Sequence, residues 1–100
     1  MTLGGIQIED KSFTAILQKY HVKELAICGS RSRGDYRNGS DIDFLVEFLK
    51  DSRIDLFDFV ELKLELEDLL GIQVDLGEKN HVKPHARNSI LADACIIYSI

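Results

Sequence analysis

Positive charge is scarce in this 100-residue sequence, where 12 Lys and Arg stand against 17 Asp and Glu for a formal net charge of -5. Surfaces that grip a nucleic-acid backbone are ordinarily basic. The deficit therefore weighs against a polymerase or a direct DNA-binding module, unless the acids are concentrated in a metal site. Cysteine is nearly missing too. Cys28 and Cys95 have no second Cys or His at metal-ligand spacing, and both lie in apolar runs, where a thiol behaves as a small hydrophobe. A reduced, cytoplasmic setting is expected. No apolar run approaches the length of a membrane span, and Met1–Ile8 has neither a basic n-region nor a long apolar stretch. Neither a signal peptide nor a membrane contact is expected. Repeats, low-complexity tracts and linkers are also absent, so residues 1–100 are read as one domain. What is present is an ordinary globular balance, 45% apolar and 29% charged.

Periodicity supplies the elements. Asp10 or Ser12 can cap a first helix in which Phe13, Ile16, Leu17 and Tyr20 recur at i, i+3, i+4 and i+7. Leu25–Cys28 is a short continuous apolar run, the pattern of a buried strand. It ends at Gly29-Ser30, where Ser30 can cap a helical turn, and Asp35–Ser40 reads as a loop turning at Asn38-Gly39. Asp41–Phe48 alternates as a strand, with Ile42, Phe44 and Val46 on one face and Asp41 and Asp43 on the other. Asp55 or Ser52 caps a long helix to about Leu70, stopped by Gly71. Ile72–Leu76 alternates again, placing Gln73 and Asp75 opposite its apolar face. Pro84 begins a last helix to about Ala92, and Cys95–Tyr98 forms a final short strand. The sum is an α/β (α+β) fold: a small mixed β-sheet with helices packed on one face and acids left on the other.

Those acids suggest a site. Carboxylates at i and i+2 of a strand have their Cβ atoms on one side, so Asp41 and Asp43 would stand together facing water. Like charges that close repel, and a structural face gains nothing from the pairing. Mg²⁺ offsets the repulsion, taking carboxylate oxygens while keeping waters and substrate phosphates as its other ligands. Asp75, on a neighbouring strand, would complete a three-acid cluster able to hold two ions roughly 3.5–4 Å apart, flanking an in-line displacement. Directly upstream, Gly29 lets a phosphate approach the backbone and the Ser30 hydroxyl can donate to it. Arg31 and Arg33 lie in the same turn, and either can neutralise developing negative charge. The pattern is not a P-loop, since no Lys-Ser/Thr follows the glycines.

Gly29-Ser30-Arg31-Ser32-Arg33-Gly34 followed by Ser40-Asp41-Ile42-Asp43 resembles the signature of the DNA-polymerase-β-like nucleotidyltransferases. Within that superfamily the chain is most similar to the minimal nucleotidyltransferases, the MNT half of HEPN–MNT toxin–antitoxin pairs. The likeness runs from Leu25 through Leu76, and the segment from Lys83 to Tyr98 also fits. Ser32 and Phe44 stand where the minimal family often has Ala and Leu, and neither difference touches a ligand. The resemblance implies a palm-like fold in which Gly29 and Ser30 bind the triphosphate of ATP. It further implies that Asp41 and Asp43 coordinate two Mg²⁺ ions, and that Asp75 holds the catalytic one and helps deprotonate the acceptor. The acceptor it implies is a tyrosine hydroxyl on a cognate HEPN RNase toxin, silenced by adenylylation.

Each feature has a plainer reading. Asp-x-Asp alone is common on solvated strands, and a single acid such as Asp75 is usually just hydrated. Arginines in a turn are more often surface charges than phosphate ligands; Arg33 is carried forward as the nucleotide-binding one. His21, His81 and His85 show no ligand spacing and read as surface or helix-end histidines. Asn80–Arg87, with four side chains able to carry positive charge, is either a solvated loop or an approach to a triphosphate or partner. The helix over 55–70 has apolar residues around about two-thirds of its wheel, whereas covering a sheet face needs a stripe of little over ~100°. The excess points to an oligomeric contact, with a partner or another copy, unless the first or last helix covers it. Three functions follow: a protein adenylyltransferase, an antitoxin that acts by occlusion, or a stand-alone transferase for a small molecule or RNA end. The shortness of the chain favours the first, because it leaves no room for a built-in acceptor domain.

Overall fold

A computed structural model describes residues 1–84 and 90–100 of the chain. It opens with a hairpin of β1 (Thr2–Leu3) and β2 (Ile6–Gln7), then α1 (Asp10–Lys19), β3 (Val22–Cys28) and a single turn, α2 (Ser30–Arg33). β4 (Ile42–Phe48), α3 (Leu56–Leu70), β5 (Val74–Glu78), a 3₁₀ turn at Lys79–His81 and β6 (Cys95–Ser99) follow. The expected alternation is present. The hairpin is an addition, its two-residue strands being too short for periodicity to reveal. Most of the last helix expected over Pro84–Ala92 lies outside the described residues.

The four-stranded sheet has the order β5-β4-β3-β6, with β4 and β5 parallel and the other pairs antiparallel. A parallel pair cannot be joined by a tight turn, and α3 is the crossover that joins this one. The boundaries of α3 are chemical. Asp55 accepts from the Asp58 N–H at 2.9 Å, while the Asp58 carboxylate accepts from the Asp55 N–H at 3.2 Å. This reciprocal capping box satisfies donors that the first turn leaves open. At the other end Gly71 takes a left-handed conformation (φ 75°) and donates to Glu67 O at 2.8 Å. α1 differs from expectation. Glu9 precedes it as the cap residue without a side-chain cap bond, and Ser12 donates its hydroxyl to Glu9 Oε1 at 2.6 Å.

One face of the sheet is the core. Leu25, Ile27, Ile42, Phe44, Val46, Val74 and Leu76 pack against Phe13 and Leu17 of α1 and Leu62, Leu66 and Leu70 of α3. Burying each such side chain contributes about 1.5–3 kcal/mol. α1 and α3 are also tied by charge, because the Tyr20 hydroxyl donates to Glu65 and Lys19 reaches the same carboxylate at 3.1 Å. The Tyr20 hydrogen bond, more than Lys19, holds Glu65 below the usual carboxylate range. The opposite face is thinner: among the described residues, the apolar side chains packed on Ala26, Cys28 and Leu45 are those of Val82, Ile90, Leu91 and Ala94. α1 and α3 therefore pack on one face, while the expectation that helices keep to that face is corrected by Ile90 and Leu91, helical residues that cover part of the other, beside which the site lies. On the outward side of α3, Leu56, Phe57, Val60 and Leu64 are exposed by 43–79%. Among the described residues no helix is long and apolar enough to cross a membrane.

Candidate active site

Strand register builds the site. The parallel ladder pairs Ile42 with Val74, so Asp43 lies beside Asp75 and Phe44 beside Leu76. Neighbouring strands are about 4.8 Å apart, and residues 43 and 75 both point away from the core. On the other side of β4, Cys28 is the register partner of Asp43. The pairing also explains why β4 begins at Ile42 and β5 at Val74, later than alternation suggests. Asp41 lies just before the strand, and the Ile42 N–H donates to Gln73 O at 3.1 Å.

Gly29 ends β3 at φ 72°, and a Cβ there would collide with Asp43 Oδ2. The close approach that this glycine permits is therefore that of the Asp43 carboxylate. Ser32 and Arg33 donate their N–H groups to Gly29 O, turning the chain into α2. Burial pushes the Asp43 carboxyl above the usual range, and the neighbouring charges of Asp75 and then Asp41 push it further. Cys28 is likewise raised to about 11, by burial first and then by the nearby acids. Its thiol donates to Asp43 O at 3.7 Å. A protonated thiol in that place is packing, not a nucleophile.

These residues line a cleft of about 570 Å³ whose wall includes Gly29, Arg33, Asp43, Asp75, Lys83 and Asp93. Four of the six residues singled out in the sequence thus share one wall. Ser30, the first residue of α2, and the exposed Asp41 stand outside the lining, although the charge of Asp41 reaches Asp43. The two turn arginines part company. Arg31 is only 8% exposed and turns backwards, donating to Ser40 O at 2.9 Å and Gly4 O at 2.7 Å and stacking on Tyr36 at 4.5 Å. Arg33 faces the cleft, held by Asp35 at 3.1 Å and Asp93 at 2.9 Å.

Asp93, His81 and Lys83 were not legible as site residues. Asp93 precedes β6 by two positions, and it meets α2 only because β6 pairs with β3. His81 and Lys83 reach the cleft because the 3₁₀ turn carries the chain round the end of β5. The cationic run over Asn80–Arg87 was a hint without an address, and its residues 85–87 lie outside the described ones.

Among the described residues, no three metal-ligating side chains are gathered closely enough to hold an ion unaided. Two hard carboxylates side by side, one already disfavoured as an anion, nevertheless fit Mg²⁺, which fills its octahedron with waters and substrate phosphates. The chemistry of the donor set suits a cation that arrives with a nucleotide.

Residues 10–97 match the family model for the nucleotidyltransferase domain. The chain belongs to that family. It is 42% identical over 98 residues to a candidate protein adenylyltransferase of Methanocaldococcus jannaschii, covering 96% of this chain and 98% of the relative. It is 34% identical over 80 residues to the protein adenylyltransferase MntA of Thermococcus cleftensis, covering 80% and 79%. A crystal structure of a toxin–antitoxin with AMP-PNP has the same fold, with a TM-score of 0.74 over 93% of this chain and 75% of that one, at 19% identity. As a nucleotidyltransferase domain, the chain is an enzyme, and its cleft presents carboxylates and a glycine turn together with cationic Arg33 and Lys83.

Proposed function

We propose that this chain is a protein adenylyltransferase that moves AMP from ATP to a tyrosine hydroxyl of a cognate HEPN-type toxin, and so acts as the antitoxin of the pair. The observation that carries the reading is the Asp43–Asp75 pair, set beside Gly29 in a cleft that also presents Arg33 and Lys83. The names of the relatives and the toxin–antitoxin neighbour support the protein acceptor. The exposed apolar stripe on α3 supports a partner contact through the Leu56–Leu70 helix, and a cytoplasmic setting goes with such a partner.

Each residue then has a task. Asp41, Asp43 and Asp75 would hold two Mg²⁺ ions, which supply charge neutralisation at the reacting phosphate and a more nucleophilic acceptor oxygen. Gly29 and Ser30 would receive the triphosphate, and Arg33 would exchange part of its bonding to Asp93 for a phosphate oxygen. The acceptor hydroxyl oxygen attacks the α-phosphorus, the bond from that phosphorus to the bridging oxygen breaks, and pyrophosphate leaves with its electron pair. Asp75 takes the hydroxyl proton. Asp43, raised as an acid by burial, favours binding of the cation that restores its charge.

Incubation with Mg²⁺, α-labelled ATP and the HEPN-type partner tests this directly. Label should pass to the partner from the wild type and not from an Asp41→Ala/Asp43→Ala protein. The apolar stripe also favours a second reading, occlusion without chemistry, since it offers binding area independent of the cleft. Neutralisation of the toxin that survives the double substitution would establish that alternative and sink the first.

A further inference from the structure

A second cleft, of about 590 Å³, opens where the N-terminal end of α3 meets the far end of β5. Ile54, Leu56, Phe59 and Leu76 give it an apolar floor, and Asp55 and Glu78 stand on its rim. We infer that this cleft seats the acceptor protein: a segment with an apolar side chain for the floor, basic residues for the rim, and the hydroxyl to be modified a few residues away. The inference rests on the adenylyl-transfer reading and adds to it the place and chemistry of the acceptor.

Three observations converge. First, Gly77, Glu78 and His81 line both clefts, so the second adjoins the catalytic one at the end of β5. β5 is an edge strand, and Asp75, the acid assigned to the acceptor hydroxyl, stands on it. An acceptor reaching Asp75 across that open edge passes this cleft. Second, the cations are sorted. The catalytic cleft sets Arg33 and Lys83 beside its carboxylates, whereas among the described residues no Lys or Arg lines the second, which has two carboxylates and one histidine held to Glu78 at 3.3 Å. A triphosphate is repelled from such a lining and a basic segment is attracted. Third, the apolar floor does not stop at the cleft. Leu56 is 74% exposed and leads onto Phe57 and Val60 along the outer face of α3. Glu61 stands beside them, one helical turn beyond Phe57. A continuous exposed apolar surface that leads out of a carboxylate-rimmed cleft has the anatomy of a docking site.

The test uses the full chain and short synthetic peptides labelled with a fluorophore. Each peptide contains one tyrosine and one leucine, flanked in one series by Lys and Arg and in the other by Glu. Binding is read by fluorescence polarisation, with and without saturating AMP-PNP. The basic peptide should bind about tenfold or more tighter than the acidic one, and AMP-PNP should not displace it. Leu56→Lys should abolish the preference. Ile96→Lys, at an exposed apolar residue on the opposite edge strand, should not, and both variants should keep the wild-type affinity for AMP-PNP. Displacement by AMP-PNP, equal binding of the two series, no binding of either, or indifference to Leu56→Lys would each overturn the inference. Transfer of label from α-labelled ATP, followed in the same samples, separates the two claims. Peptide bound at Leu56 without transfer counts against the adenylyl-transfer reading, and transfer indifferent to Leu56→Lys counts against the cleft.

Discussion

The two faces of one strand, β4, show how this small domain divides its labour. Towards the helices, Ile42, Phe44 and Val46 are buried to within 1% of completely in the apolar core. Towards the cleft, Asp43 is half-buried between Asp75 and Cys28, with burial and like charge both opposing its ionised form. The same backbone thus holds a face that satisfies every local preference and a face that violates one. The core face stabilises the fold, and part of that stability maintains an unfavourable carboxylate where a cation is wanted.

The largest effect expected on this contrast comes from Asp43→Asn. Transfer activity should fall by about 100-fold or more, the scale of losing one charged group at a reacting centre, while the metal-free protein gains thermal stability. The sign follows from linkage. The folded carboxyl titrates above its ordinary value of 3.8, so between the two values the folded state binds more proton, and wild-type stability declines as pH climbs through that window. The stability advantage of Asp43→Asn should accordingly be present at neutral pH and disappear below about pH 4. Melting curves of both proteins across pH, in EDTA, check this, and a wild type that melts higher at neutral pH would contradict it.

On the core face the expectation is reversed. Leu66→Ala removes a fully buried side chain and should cost roughly 2–5 kcal/mol, read as a lower urea midpoint at unchanged slope. The nucleotide affinity of the remaining folded fraction should be intact. The arginine pair sharpens the comparison within a single turn. Arg31→Met leaves Ser40 O and Gly4 O without their donor and should destabilise by roughly 2–3 kcal/mol. Arg33→Ala should leave the melting temperature near wild type and instead raise the KM for ATP. If the two substitutions have interchangeable effects, the division of roles between them is wrong. The smallest effect is local: Asp55→Ala removes the side-chain cap of α3 and should cost about 1 kcal/mol.

Much of this is legible in the sequence. The alternation in Asp41–Phe48 correctly put Ile42, Phe44 and Val46 inside, and Asp55 and Gly71 bound α3 as their chemistry indicates. These features depend on neighbours within a few residues, where backbone sterics and hydrogen bonding act. The strand limits were less legible, because β5 begins where β4 offers it partners, at Val74 and not at Ile72. The surplus of apolar residues on α3 was visible in the sequence, but which of them stay exposed was not. α1 covers part of the helix, and Leu56, Phe57, Val60 and Leu64 are left outside.

By itself, then, the sequence determined the elements, the apolar face of each strand and the residue types available for phosphate and metal chemistry. These follow from a side-chain period of two or of 3.6 and from caps that act over three or four positions. Only the tertiary structure decided that Asp43 neighbours Asp75, that Asp93 rather than solvent holds Arg33, and that Arg31 faces inward to Ser40 and Gly4. Strand order and register bring together residues tens of positions apart, and no local preference encodes which of two arginines in one turn will face the cleft. Gly29 belongs to both accounts. In the sequence its missing side chain reads as room for a phosphate at the backbone, while the fold shows that the group pressed against it is the Asp43 carboxylate.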